Sequence, residues 1–181
     1  VGTVSLPALS KDFKKKNILK ISNIQNRSIE LSLLLSIPAS LGLILASEQI
    51  VSALFGYGSF TKENIYMTAT ALKYFGYGIP AFALIKILSN FFFARNNTEI
   101  PFYIYTFVVL LNILVSVVFF SKIGFIIIPI STSISTWIGV ALYLYLLNGK
   151  NFLLVQNYLP KNILKIILFT ILMSLILIFA L

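Results

Sequence analysis

The chain has 181 residues, 59% of them hydrophobic and only 10% charged, with a mean hydropathy of +0.96 and a net charge of +9. A soluble domain of this length is nearer half apolar and a quarter charged. The absence of cysteine and histidine excludes disulfides, thiolate zinc sites and histidine-based catalysis within this chain. The apolar residues fall into blocks of about 20, the length that crosses roughly 30 Å of hydrocarbon as a helix. An integral membrane protein is therefore expected, of all-α class. A strand barrel is excluded because the runs lack in/out alternation and are too long.

In chain order, residues 1–10, VGTVSLPALS, read as the last turns of a helix that began upstream. The basic stretch 11–27 reads either as a short helix on the membrane surface or as a solvated loop. A first complete span is expected over Ile29–Phe55, containing Pro38 and Gly42. Thr61 with Asn64 forms a cap signal for a second span over Tyr66–Phe93. A third covers Phe102–Phe120, and the turn SKIG leads to a fourth over Phe125–Leu147. A polar loop, 148–162, precedes a fifth span from Ile163 onward, which runs to the last residue. Both ends look cut, as in part of a longer protein.

Charge tests this count. With alternating segments, the loops at 11–27, 94–101 and 148–165 share one side and hold ten lysines and arginines. The opposite loops hold two, Lys62 and Lys122. Membrane proteins concentrate positive charge in cytoplasmic loops, so the first group is placed in the cytoplasm. The charge thus reads as a topology signal, and no module for nucleic acid is present.

Polar groups inside an apolar span need a reason. Lys73 sits close enough to the outer end of its helix to snorkel. Lys86 is deeper, and either snorkels toward the cytoplasm or faces an aqueous cavity and an anionic substrate. Gly76, Gly78 and Pro80 interrupt the second span, as simple irregularity or as a hinge. Asn112 and Ser116 share a face of the third span. Facing them in sequence order is STSISTW, residues 131–137, with Thr132. The two segments read either as close-packing small residues or as a neutral site for a monovalent cation such as sodium. The five acids, Asp12, Glu30, Glu48, Glu63 and Glu99, are scattered, so no acid/base pair, nucleophile triad or metal cluster is legible. No enzymatic role is therefore expected.

The segments LPALSKDF, IPASLGLILASEQIVSALFGYGSFT and GIPAFALIKILSNFFFARNNTEIP resemble, in order and spacing, the C-terminal half of MurJ/MviN-type lipid II flippases. These belong to the superfamily of multidrug, oligosaccharidyl-lipid and polysaccharide exporters. The resemblance covers about residues 1–148; the last span fits by hydropathy alone. It implies a second-lobe bundle at 1–148, with the end of one helix plus four spans. A loop and an incomplete extra span follow at 149–181, giving about five transmembrane helices plus the end of a sixth. It further implies alternating-access transfer of undecaprenyl-pyrophosphate-linked peptidoglycan precursor across the bacterial cytoplasmic membrane. Membrane potential or a cation supplies the drive, and the partners are membrane lipids and a first lobe of the same protein. The alternatives are an exporter of polysaccharide or drugs, and a non-transporting scaffold. Lys86 matches the family's lysine in its helix. In the cytoplasmic turn, Arg95, Thr98 and Pro101 fall in the family motif, while Asn97 stands where an Asp is usual. Asn112 matches a family polar position and Ser116 departs from the next, which is commonly Asn-like.

Overall fold

The computed structural model describes residues 7, 9–11, 17–58 and 60–180. The described residues form helices α1 (Ile18–Leu45), α2 (Ser47–Phe55), α3 (Lys62–Phe93), α4 (Glu99–Ile123), α5 (Ile127–Gly149) and α6 (Tyr158–Ala180). A short 3-10 turn, Gly124–Ile126, joins α4 to α5. No strand occurs among them. The expected helix end at 1–10 lies mostly outside the described residues; Pro7, Leu9 and Ser10 are helical.

Four apolar stretches are long enough to cross a membrane, and one of these, Glu99–Gly149, contains both α4 and α5. Five helices therefore span, and the chain is a multi-pass membrane protein. Its outer surface is as apolar as its core: Val109, Leu110, Ile113, Leu114 and Val117 of α4 are each more than half exposed. Lipid is the solvent such a surface requires.

The packing order is α1 on α3, α3 on α5 and α5 on α4, with α6 against α1. The pairs Tyr105/Tyr143, Val108/Gly139, Asn112/Thr132 and Ser116/Ser131 run in opposite directions along α4 and α5, which fixes an antiparallel hairpin. A Cβ on Gly139 would sit 2.7 Å from Val108 and 2.9 Å from Ile85. The missing side chain is what lets three helices approach at that level.

Three expectations are corrected. The basic stretch is neither a separate surface helix nor a loop from Ile18 onward; it is the first turns of α1, capped by the Asn17 side chain on Lys20 N–H at 3.2 Å. Its residues 12–16 lie outside the described residues. The helix continues because Ile21, Ser22, Gln25 and Asn26 form a buried face, with partners from a distant loop. The span Ile29–Phe55 is divided, since the backbone leaves helical geometry at Ala46 (φ −102°, ψ 18°) and α2 turns to bury Ser47 and Val51. Third, SKIG is not the turn it resembles. Ser121, Lys122 and Ile123 are helical, and the chain reverses at Gly124, whose φ of 75° and ψ of −156° belong to a region essentially restricted to glycine.

Elsewhere the expected and observed elements agree closely. The Thr61 hydroxyl accepts from Asn64 N–H at 3.3 Å and starts α3, four residues earlier than expected. The last helix begins at Tyr158, five residues before the expected Ile163, because Pro160 falls in its first turn, where a missing N–H costs nothing.

Candidate functional site

Helix α3 ends at the turn before α4 with Asn96 in the left-handed conformation (φ 56°). Asn97 N–H donates to Phe92 C=O at 3.1 Å and Asn96 N–H to Phe93 C=O at 2.9 Å. This is the double bond of a Schellman cap, with asparagine in the position glycine usually takes. Helix α5 ends the same way: Asn151 has φ 53°, Phe152 N–H bonds Leu147 C=O at 2.8 Å and Asn151 N–H bonds Asn148 C=O at 3.0 Å. The two caps bring Arg95 and Phe152 together. Arg95 Nη1 donates to Phe91 C=O at 2.7 Å, Nη2 to Phe152 C=O at 2.8 Å, and the guanidinium lies 4.2 Å over the Phe152 ring. Desolvation lowers its pKa to about 10, so it remains cationic at neutral pH.

The residues that complete this knot were not singled out from sequence. Gln25, fully buried, donates from Nε2 to the same Phe152 C=O at 2.9 Å and accepts from Leu154 N–H at 3.2 Å. Asn26 donates to Leu154 C=O at 2.6 Å and accepts from Gln156 N–H at 3.0 Å. Ser22 donates to Leu154 C=O at 3.0 Å and accepts from Gln156 Nε2 at 2.9 Å. One face of α1 thus bonds Phe152 C=O, Leu154 N–H and C=O, and Gln156 N–H in the irregular segment 152–156. The signal in the sequence was the i, i+3, i+4 spacing of Ser22, Gln25 and Asn26 alongside Ile18, Ile21 and Ile24.

Asn97 accepts from Ile100 N–H at 3.2 Å through Oδ1, capping α4, and Pro101 is buried in the first turn. Thr98 precedes α4 and makes no side-chain cap. An Asn97→Ala protein is expected to lose about 1 kcal/mol of stability, and Asn97→Asp close to none. Thermal melts of the two variants check this; equal melting of Asn97→Ala and the parent would show the cap to be idle.

Gly76, Gly78 and Pro80 do not interrupt α3, which is helical from Lys62 to Phe93. Pro80 has no N–H for the Gly76 carbonyl, four residues before it. Ser40 of α1 supplies the missing donor at 2.7 Å. Two more donors reach neighbouring carbonyls from α5: Ser133 Oγ to Tyr74 C=O at 2.7 Å and Trp137 Nε1 to Tyr77 C=O at 2.9 Å. Each glycine admits a neighbour, since a Cβ on Gly76 would meet Ile44 at 2.8 Å and one on Gly78 would meet Ser133 Oγ at 2.8 Å. The three residues form a docking strip held by both adjacent helices.

The structure brings Asn112, Ser116 and Thr132 together and adds Ser131. Asn112 Nδ2 donates to Thr132 Oγ1 at 3.1 Å, and Ser131 donates to Asn112 Oδ1 at 2.6 Å. The Ser116 and Ser131 hydroxyls are 2.6 Å apart, and Ser116 Oγ is 3.3 Å from Asn112 Oδ1. Thr132 also bonds Ile128 C=O of its own helix at 2.7 Å. No carboxylate takes part. Lys86 stands apart from these groups, exposed on the stripe of α3 that carries Phe75 and Phe82. Among the described residues no group of histidine, cysteine, aspartate and glutamate can hold a metal ion.

The family model for lipid II flippase MurJ matches residues 1–181. The probable lipid II flippase MurJ of Rickettsia prowazekii (strain Madrid E) is 36% identical over 141 residues, covering 78% of this chain and 28% of the relative. The lipid II flippase MurJ of Thermosipho africanus (strain TCF52B) is 32% identical over 173 residues, covering 96% of this chain and 34% of the relative. Among solved structures, a lipid II flippase MurJ in an inward closed conformation superposes with a TM-score of 0.84 at 30% identity. That match covers 97% of this chain and 35% of the solved one. The chain therefore spans about a third of the length of the relatives it matches, and with its sequence matched throughout and its helices superposed, it belongs to the MurJ family.

Proposed function

We propose that this chain is the second-lobe portion of a flippase that carries lipid-linked peptidoglycan precursor, lipid II, from the inner to the outer leaflet of the bacterial cytoplasmic membrane. The observation that supports this most is the family match along the whole chain together with the common helix arrangement. Residues 1–148 contribute the lobe and 149–181 a cytoplasmic loop with an additional span. The physical task fits a cavity between two lobes. A diphosphate and a sugar-peptide head are costly to pass through hydrocarbon, and rocking of one lobe against the other exposes a polar cavity to each side in turn. Nothing in that cycle calls for hydrolysis. Lys86, on an exposed stripe of α3, is the residue of this chain we assign to the anionic substrate. The first lobe supplies the facing wall.

The test is depletion of the full-length protein in cells, with outer-leaflet precursor measured by an externally added modifying enzyme. Loss of accessible precursor is expected, restored by the parent gene and much less by Lys86→Ala at equal expression. Unchanged accessibility after depletion overturns the reading.

The neutral oxygens of Asn112, Ser116, Ser131 and Thr132 fit a helix-to-helix clasp better than a cation cage, because each is engaged in hydrogen bonds and none carries charge. Membrane potential is accordingly the drive we assign. The melting temperature of the purified protein is expected to be the same in sodium and in choline salts at equal ionic strength. A rise specific to sodium, lost in Asn112→Leu, would restore the cation site.

A further inference from the structure

On the side opposite the basic loops, where α2 starts beside the first turns of α3, the surface holds a cleft of about 350 Å³. Its walls are Glu48 from α2 and Tyr66, Thr70, Lys73, Tyr74 and Tyr77 from α3. At 100° per residue the α3 members, with Ala69 at one edge, fall within an arc of about 140°. They thus form one face, whereas a tyrosine belt serving only as an interfacial anchor has no need of a common face. Tyr66 and Tyr77 are 66% and 48% exposed. The backbone under Tyr77 is fixed by Trp137, and the Thr70 hydroxyl donates to Tyr66 C=O at 2.7 Å, which leaves its oxygen able to accept.

The chemistry of the walls selects a ligand class. One carboxylate and one ammonium leave the cleft formally neutral, so it has no net attraction for a diphosphate. Glu48 only accepts hydrogen bonds, Lys73 only donates, and the phenols do both. A ligand that offers hydroxyls and amides at short intervals uses all of them. The tyrosine rings supply apolar faces for the C–H side of a pyranose. We propose that this cleft is a glycan subsite, which takes an N-acetylhexosamine ring of the substrate head on the outer side of the membrane. The proposal rests on the flippase reading and adds where the sugar is received after crossing.

The probe is a soluble N-acetylhexosamine disaccharide without phosphate or lipid, titrated against full-length protein in detergent by saturation-transfer NMR. Saturable binding is expected. Glu48→Gln and Lys73→Met each should weaken it about 10-fold, the size of one lost hydrogen bond to a charged group at the low end of its range. Tyr77→Phe keeps the ring and should weaken it less than Tyr77→Ala. Both charge variants lie at exposed positions, and unchanged melting confirms their fold. Absence of saturable binding, or equal binding by parent and variants, overturns the subsite. Flipping of lipid II in vesicles is measured on the same preparations. A parent that binds disaccharide without flipping lipid II overturns the flippase reading alone. A parent that flips, with variants that bind and flip equally well, overturns the subsite alone.

Discussion

Replacing Gln25 with leucine is expected to destabilise the protein by about 1–3 kcal/mol, although leucine is a slightly better helix former than glutamine. The loss arises elsewhere. Leu154 N–H, half-buried against α1, loses the Gln25 acceptor, and Phe152 C=O loses the Gln25 donor. An unpaired buried N–H costs more than a made bond returns. Arg95 gives the second donor to the same carbonyl, at 2.8 Å. The penalties of Gln25→Leu and Arg95→Met should therefore be coupled rather than additive, since both act through one acceptor. Unfolding of the two single variants and the double variant in mixed micelles measures the coupling. A cost for Gln25→Leu within about 0.5 kcal/mol of zero, the range of a surface change, would mean that segment 152–156 is not held by α1.

Ser40→Ala is expected to cost about 1–3 kcal/mol, a large effect for one hydroxyl. The reason is the proline four residues beyond Gly76. Pro80 leaves the Gly76 carbonyl without a helical donor, and Ser40 donates to it at 2.7 Å. In hydrocarbon no water replaces that donor. The discriminating measurement is a double-mutant cycle. Pro80→Ala returns a backbone N–H to the Gly76 carbonyl, so in that background Ser40→Ala should cost little. Equal cost with and without Pro80 would show that the hydroxyl acts by packing alone.

These two cases show which parts of the molecule could be read from sequence and which could not. Hydropathy and charge located the five spanning helices, because a membrane segment carries its own evidence in length and flanking lysines. Helical spacing placed Asn112 and Ser116 on one face, and the antiparallel hairpin then set Thr132 and Ser131 against them. The length of α1 was not legible. Its polar first turns look like a surface segment until the donors and acceptors of residues 152–156, some 130 positions away, are laid against them. The glycines and proline of α3 were read as an interruption for the same reason. The donor that Pro80 withholds comes from Ser40 of α1, and Ser133 and Trp137 of α5 add further bonds to the Tyr74 and Tyr77 carbonyls. Local composition reports what a backbone lacks, and only tertiary structure reports who supplies it.

The reversal at Gly124 bears on how such a chain fits its bilayer. A continuous helix from Glu99 to Gly149 would hold 51 residues. At 1.5 Å each it would be about 75 Å long, more than twice the hydrocarbon thickness. Nothing polar enough to stop translocation separates its halves, apart from Lys122 and the serine beside it. Folded back on itself, the stretch gives two helices each of about bilayer length, with Asn112, Ser116, Ser131 and Thr132 bonded to one another instead of standing singly in lipid. A single glycine backbone, in a conformation other residues rarely adopt, thus marks where a stretch too long for any bilayer becomes two spans that fit one.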